Sequence, residues 1–78
     1  MIEVRTLAGG YIGRVSQLGT TRIAETAAMD RAAKLAAATL GYDWAVAWQA
    51  YDEPRGSIEV SISDGWNSGK KIARWEFI

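Results

Sequence analysis

The chain has no cysteine, no histidine, a single proline and no net charge. Without cysteine it has neither disulfides nor thiolate metal ligands, so hydrophobic packing must supply nearly all of its stability. Without histidine it lacks the commonest general base and the commonest metal ligand, and any chemistry falls to carboxylates, lysines and hydroxyls. Nine basic residues balance nine acidic ones. That balance argues against a protein held to nucleic acid chiefly by phosphate neutralisation, and equally against an acidic mimic of DNA. No apolar run approaches the roughly 20 residues of a membrane span, and the start MIEVR has no signal-peptide apolar stretch. The expectation is a cytoplasmic protein with no membrane partner. A chain of 78 residues leaves about 40% of its extended-state surface exposed after folding, which allows one core and one domain over residues 1–78.

Glycine supplies the punctuation. Ile2, Val4 and Thr6 alternate with Glu3 and Arg5, the two-residue period of a half-buried strand, and Ala8-Gly9-Gly10 turns it. Residues 11–18 form a second strand candidate, and 21–24 a short third after Gly19-Thr20. From Thr26 the period changes: Met29, Ala32, Ala33, Ala36 and Leu40 fall on one helical face, with Asp30, Arg31 and Lys34 mostly elsewhere. Thr26 is the expected cap, Asp30 lies near the positive end of the dipole, and Gly41 suits the left-handed closing residue. Beyond the helix, Trp44, Val46, Trp48 and Ala50 alternate with Ala45, Ala47, Gln49 and Tyr51. The large apolar groups on one side of this segment predict a central strand. Asp52-Glu53-Pro54-Arg55-Gly56 is a turn by composition. Ile58, Val60 and Ile62 then alternate with serines and Glu59, residues 64–70 form a longer loop, and Ala73, Trp75 and Phe77 alternate to the end.

The expected fold is therefore α+β and two-layered. An antiparallel sheet of five to six strands, in the order β-β-β-α-β-β-β, carries one alanine-rich helix on one face. A helix of about 14 residues is about 21 Å long and cannot cover six strands, so the opposite face should be open to water or to a partner. Four tryptophans exceed what the helix-facing core can absorb, which places some of them at the surface.

Catalysis finds little support. Ser16, Ser57, Ser61 and Ser63 have no histidine to activate them, and Lys70 and Lys71 beside Ser68 suggest a Ser-Lys pair only loosely. Asp52 and Glu53 are adjacent turn acids, and neighbours on an extended chain point apart. Gly9-Gly10-Tyr11-Ile12-Gly13 lacks the lysine and hydroxyl of a phosphate loop and leads into a strand, so a hairpin turn is expected, with Gly13 marking a bulge or a close approach. No catalytic, cofactor-binding or metal-binding residue is expected. The better candidate is a binding stretch in which Trp66, Lys70, Lys71, Arg74 and Trp75 mix aromatic and basic groups. Such mixing suits stacking on bases and contact with phosphates, and equally suits a protein interface, where Trp and Arg most often dominate affinity. Trp75 can alternatively be core, and the lysines ordinary edge charges. Asp43, Asp52 and Glu53 cluster around the middle strand against this basic end, an arrangement that favours oriented docking.

The run Gly10-Tyr11-Ile12-Gly13-Arg14-Val15, then Leu18-Gly19, then Ala24-Glu25-Thr26 and an alanine-rich helix, resembles the front of HicB-type antitoxins. The resemblance covers roughly residues 1–40. The rear departs from it, because no helix-turn-helix follows and further strands take its place. In size and layout the whole chain is similar to small phage-encoded anti-CRISPR proteins, with no motif carried over. Both resemblances imply stoichiometric capture of a partner that handles nucleic acid. The expected function is a non-enzymatic inhibitor docked on a protein or ribonucleoprotein complex, such as a CRISPR effector, in the cytoplasm of a bacterial host. Trp66 is its anchor, with Arg55, Lys70, Lys71 and Arg74 as further contacts. The alternatives are a HicB-like antitoxin module, direct binding of single-stranded nucleic acid on the exposed sheet, or pairing of an open edge into a homodimer rather than a monomer.

Overall fold

Alternation decides the first strand. In the computed structural model, which describes residues 1–51, 53–61 and 69–78, β1 (Ile2–Thr6) buries Ile2 and Val4 completely on one side and turns Glu3 and Arg5 to the other. Gly9, at φ 96°, closes a tight turn in which its N–H donates to the Thr6 carbonyl at 2.9 Å and the Thr6 N–H to the Gly10 carbonyl at 2.8 Å. Glycine adopts this left-handed conformation without the Cβ penalty. β2 (Tyr11–Val15) returns antiparallel to β1, with a bulge at Ile12 opposite the step from Val4 to Arg5.

The chain then enters α1 (Arg22–Leu40) directly. No third strand forms at 21–24: Thr21 is the N-cap, extended at φ −73° and ψ 159°, and its hydroxyl accepts from the Ala24 N–H at 3.1 Å. The expectation that Thr26 caps the helix is thus corrected by five residues. β-Branched Thr21 and Ile23 suit a strand, but the hydroxyl satisfies an orphan amide and starts the helix earlier. The helix has 19 residues, about 28 Å at the standard rise. Gly41, at φ 83°, ends it and donates its N–H to the Ala37 carbonyl.

β3 (Val46–Gln49), β4 (Arg55–Ser61) and β5 (Gly69–Phe77) complete an antiparallel five-stranded sheet ordered β2-β1-β5-β4-β3. The architecture is the expected α+β layering with element order β-β-α-β-β-β among the described residues. β3 is an edge strand, not a central one. Its faces are also reversed from the expected ones: Ala45 and Ala47 pack against the core, while Val46 and Trp48 are exposed.

The reason lies in the helix. Its buried stripe is Ala28, Ala32, Ala33, Ala36 and Ala37, all small, so it lies close against Ile2, Val4, Ile58, Val60, Ile72, Ala73 and Trp75 from the sheet. Bulk comes from the strands and clearance from the helix. Leu35 reaches over β2 so closely that a Cβ at Gly13 would lie 2.9 Å from its Cδ2. Trp75, 1% exposed, stacks edge-on against Phe77 at 5.1 Å and donates its indole N–H to the Trp48 carbonyl at 3.1 Å. Among the described residues, no helix is long and apolar enough to cross a membrane.

Candidate binding face on the open side of the sheet

Residues paired across antiparallel strands share a face, so the register defines the side of the sheet that α1 does not cover. Three rows cross it. One runs Arg14, Glu3, Glu76, Arg55. The next runs Tyr11, Arg5, Arg74, Ser57, Trp48, reaching from β2 to β3 across all five strands. The third brings together Lys71, Glu59 and Val46.

The position of Lys71 depends on a bulge. Ile58 pairs with Ala73 and Glu59 with Lys71, leaving Ile72 as the extra residue on β5. Side chains three apart on a regular strand point to opposite faces. Here the bulge turns Ile72 into the core and puts Lys71 on the same face as Arg74.

The charges on this face are unevenly satisfied. Glu3, only 8% exposed, receives the Arg5 guanidinium at 3.3 Å and that of Arg14 at 3.4 Å. Arg5 also donates to the Gly9 carbonyl at 3.0 Å and lies 5.7 Å from the centre of the Tyr11 ring. Arg55 is paired with Glu53 at 2.6 Å, and the Glu59 carboxylate accepts from the Ser57 hydroxyl at 2.9 Å. Among the described residues, Lys71 and Arg74 have no ion-pair partner and donate no side-chain hydrogen bond. Arg74 stands directly opposite Arg5, a like-charged pairing that costs stability unless something else compensates it.

These side chains border a concave trough of about 600 Å³ lined by Arg5, Leu7, Trp48, Arg55, Lys71 and Arg74 among others. Trp48 is 57% exposed at its β3 border, and Tyr11 stands exposed at the β2 end of the same row. Trp44 and Tyr51, which flank β3 in sequence, are also exposed. The excess of tryptophan over core capacity therefore appears at Trp44 and Trp48, while Trp75 is core.

Of the residues expected to make contacts, Arg55, Lys71 and Arg74 share this face. Lys70 does not join them. It pairs with Val60, and its ammonium lies 3.4 Å from the Tyr42 hydroxyl and 5.9 Å from the Tyr42 ring centre. Neighbours on a strand point to opposite sides, which separates Lys70 from Lys71. Trp66, the expected anchor, lies outside the described residues, as does Asp52. Sequence reasoning missed Arg5, Tyr11 and Trp48. The alternation of Arg5 with buried Ile2 and Val4 was the available signal for the first. Among the described residues, no group of three or more carboxylates is placed to hold a metal ion. The chain matches no family model, no curated protein and no solved structure.

Proposed function

We propose that this protein is a non-enzymatic binding module that docks through the open face of its sheet onto a nucleic-acid-handling protein or ribonucleoprotein complex and blocks it sterically. The observation behind this reading is the row Tyr11, Arg5, Arg74, Ser57, Trp48, in which exposed aromatic rings frame two opposed arginines on a face the helix leaves bare. Aromatic and arginine side chains are those that most often carry binding energy. An anti-CRISPR-type inhibitor of a CRISPR effector is the specific form proposed, and the one-helix, one-sheet layout supports it. A HicB-type antitoxin module is the second reading, favoured by the hairpin-then-helix order of β1, β2 and α1.

The test is affinity capture from lysate of the encoding organism or its host, comparing the wild-type chain with Arg74→Glu and Trp48→Ala, each with and without nuclease. The reading expects a nucleic-acid-handling complex that the wild type retains and both variants lose. Equal retention by all three proteins would rule out the open face as the docking surface.

A further inference from the structure

We infer that the occupant of the trough is a stretch of single-stranded nucleic acid carried by the partner complex, with phosphates on Arg5, Lys71 and Arg74 and a base stacked on Trp48. The inference rests on the docking reading above and names the part of the complex that the face meets.

Charge distribution is the first argument. Among the described residues, the open face holds five cations (Arg5, Arg14, Arg55, Lys71, Arg74) against three carboxylates in its rows (Glu3, Glu59, Glu76), with Glu53 paired to Arg55 beside them. A chain of zero net charge thus presents on its uncovered sheet two cations, Lys71 and Arg74, that no carboxylate among the described residues pairs. Balanced composition excludes strong non-specific attraction to nucleic acid but leaves this local field intact.

The convergence of two guanidinium groups is the second. Arg5 donates to the Gly9 carbonyl, and Arg74 approaches the same residue so closely that a Cβ on Gly9 would sit 3.2 Å from its Nη2. An anion bridging the two groups removes their mutual repulsion and gives Arg74 an acceptor, which it lacks among the described residues.

The spacing of the aromatic rings is the third. Tyr11 and Trp48 stand on the two edge strands of the sheet, about 19 Å apart at the usual strand separation. That span accommodates about four nucleotides, the lower end of the site sizes of small strand-binding modules. Stacking requires an exposed base face, which a single strand offers and a duplex hides. An acidic peptide would satisfy the cations but leave Trp48 without a planar partner, and its carboxylates would meet Glu59 in the row of Lys71 and Glu76 in the row adjoining Arg74. A nucleic-acid strand instead places base amino groups between its phosphates, and the accessible Glu59 and Glu76 accept hydrogen bonds from them.

The experiment is fluorescence anisotropy of a labelled single-stranded oligonucleotide of about eight nucleotides, twice the span estimated for the site. DNA and RNA versions, the matching duplex and polyglutamate serve as comparison probes. Binding should favour the single strand, and log K should fall against log salt with a slope of about −1.4 to −2.1 for two or three phosphates. Lys71→Ala or Arg74→Ala should each reduce that slope by about 0.7. Trp48→Ala should weaken binding about 5- to 100-fold with the slope unchanged. Lys34→Glu, on the exposed side of α1, should leave binding within about twofold, since phosphate attraction acts locally. No binding at low salt, salt-independent binding, equal competition by polyglutamate, or an equal effect of Lys34→Glu and Lys71→Glu would overturn the inference. If oligonucleotides fail while capture of the complex still depends on Arg74 and Trp48, the docking reading stands and the occupant is protein; if that dependence is absent, docking itself fails.

Discussion

Gly56→Ala should be among the most damaging single-methyl changes in the chain. Gly56 pairs with Trp75 on one side and Gln49 on the other, beneath the hydrogen bond from the Trp75 indole to the Trp48 carbonyl. A Cβ there would overlap the Trp48 carbonyl oxygen, lie 2.7 Å from its carbonyl carbon and come within 2.9 Å of Trp75 Nε1. Two of these obstacles are backbone, so rotamer adjustment cannot relieve them. Either the β3 edge lifts from β4 or the indole moves. The first is overpacking, at about 1–3 kcal/mol. The second leaves a buried N–H unsatisfied, at about 1–3 kcal/mol. Where both occur the losses add to about 2–6 kcal/mol, against a total near 4–12 kcal/mol for a chain of this size. The melting temperature should fall by about 10 °C or more. Urea and thermal unfolding monitored by circular dichroism measure it, with Gly69→Ala as control. There the nearest atoms to the added Cβ, among the described residues, are those of the Glu59 side chain, whose carboxylate can swing away. If the damage passes through the indole bond, Gly56→Ala and Trp75→Phe should cost less together than the sum of their separate costs. A Gly56→Ala protein within about 0.5 kcal/mol of wild type would refute this account, since that is the scale of an ordinary surface substitution.

Three further outcomes follow from the ends of the helix and the exposed ring. Thr21→Ala should cost about 1 kcal/mol by removing the cap on the Ala24 amide. Thr26→Ala, exposed within the helix, should be neutral or stabilising by up to about 0.5 kcal/mol; urea midpoints for the two variants decide which threonine starts α1. Gly41→Ala should cost about 1–2 kcal/mol through its left-handed backbone alone, because among the described residues nothing beyond its chain neighbours lies within 4 Å of an added Cβ; Gly41→Asn should recover part of that loss in the same unfolding assay. Trp48→Ala, removing a half-exposed ring while keeping the carbonyl that Trp75 uses, should lower thermal stability far less than Trp75→Ala, for which a buried-aromatic loss of about 3–5 kcal/mol is expected.

Periodicity identified the layers and misread one edge. Ile2, Val4, Ile58, Val60, Ala73 and Trp75 alternate in sequence and are buried, so the core was legible wherever one side of a strand is apolar and the other polar. In residues 44–50 both sides are apolar, and alternation cannot say which turns inward. The intuitive choice, larger groups inside, fails because the alanine stripe of α1 comes too close for Trp48 and leaves room for Ala47. The helix start was obscured because Thr21 and Ile23 read as strand formers, and a cap depends on where one hydroxyl points. The candidate face was half legible. Arg55, Lys71 and Arg74 were visible as basic residues. The Arg5–Arg74 opposition depends on register between segments about seventy positions apart, and the shared face of Lys71 and Arg74 on a bulge that no local signal marks.

The central position of β5 has a consequence for how this chain reaches its native state. β1 with β2, and β3, β4 and β5 in succession, pair between neighbouring segments, and the two groups meet only where β5 pairs with β1, the first strand against the last. The Ile78 amide even reaches back to the Met1 carbonyl at 3.0 Å. The entropic toll of closing that largest loop falls on a single event, the joining of the free edge of β5 to β1. Folding should therefore be slow for a molecule this small, and sewing the two chain ends together with a short linker would turn its rate-limiting search into a local one.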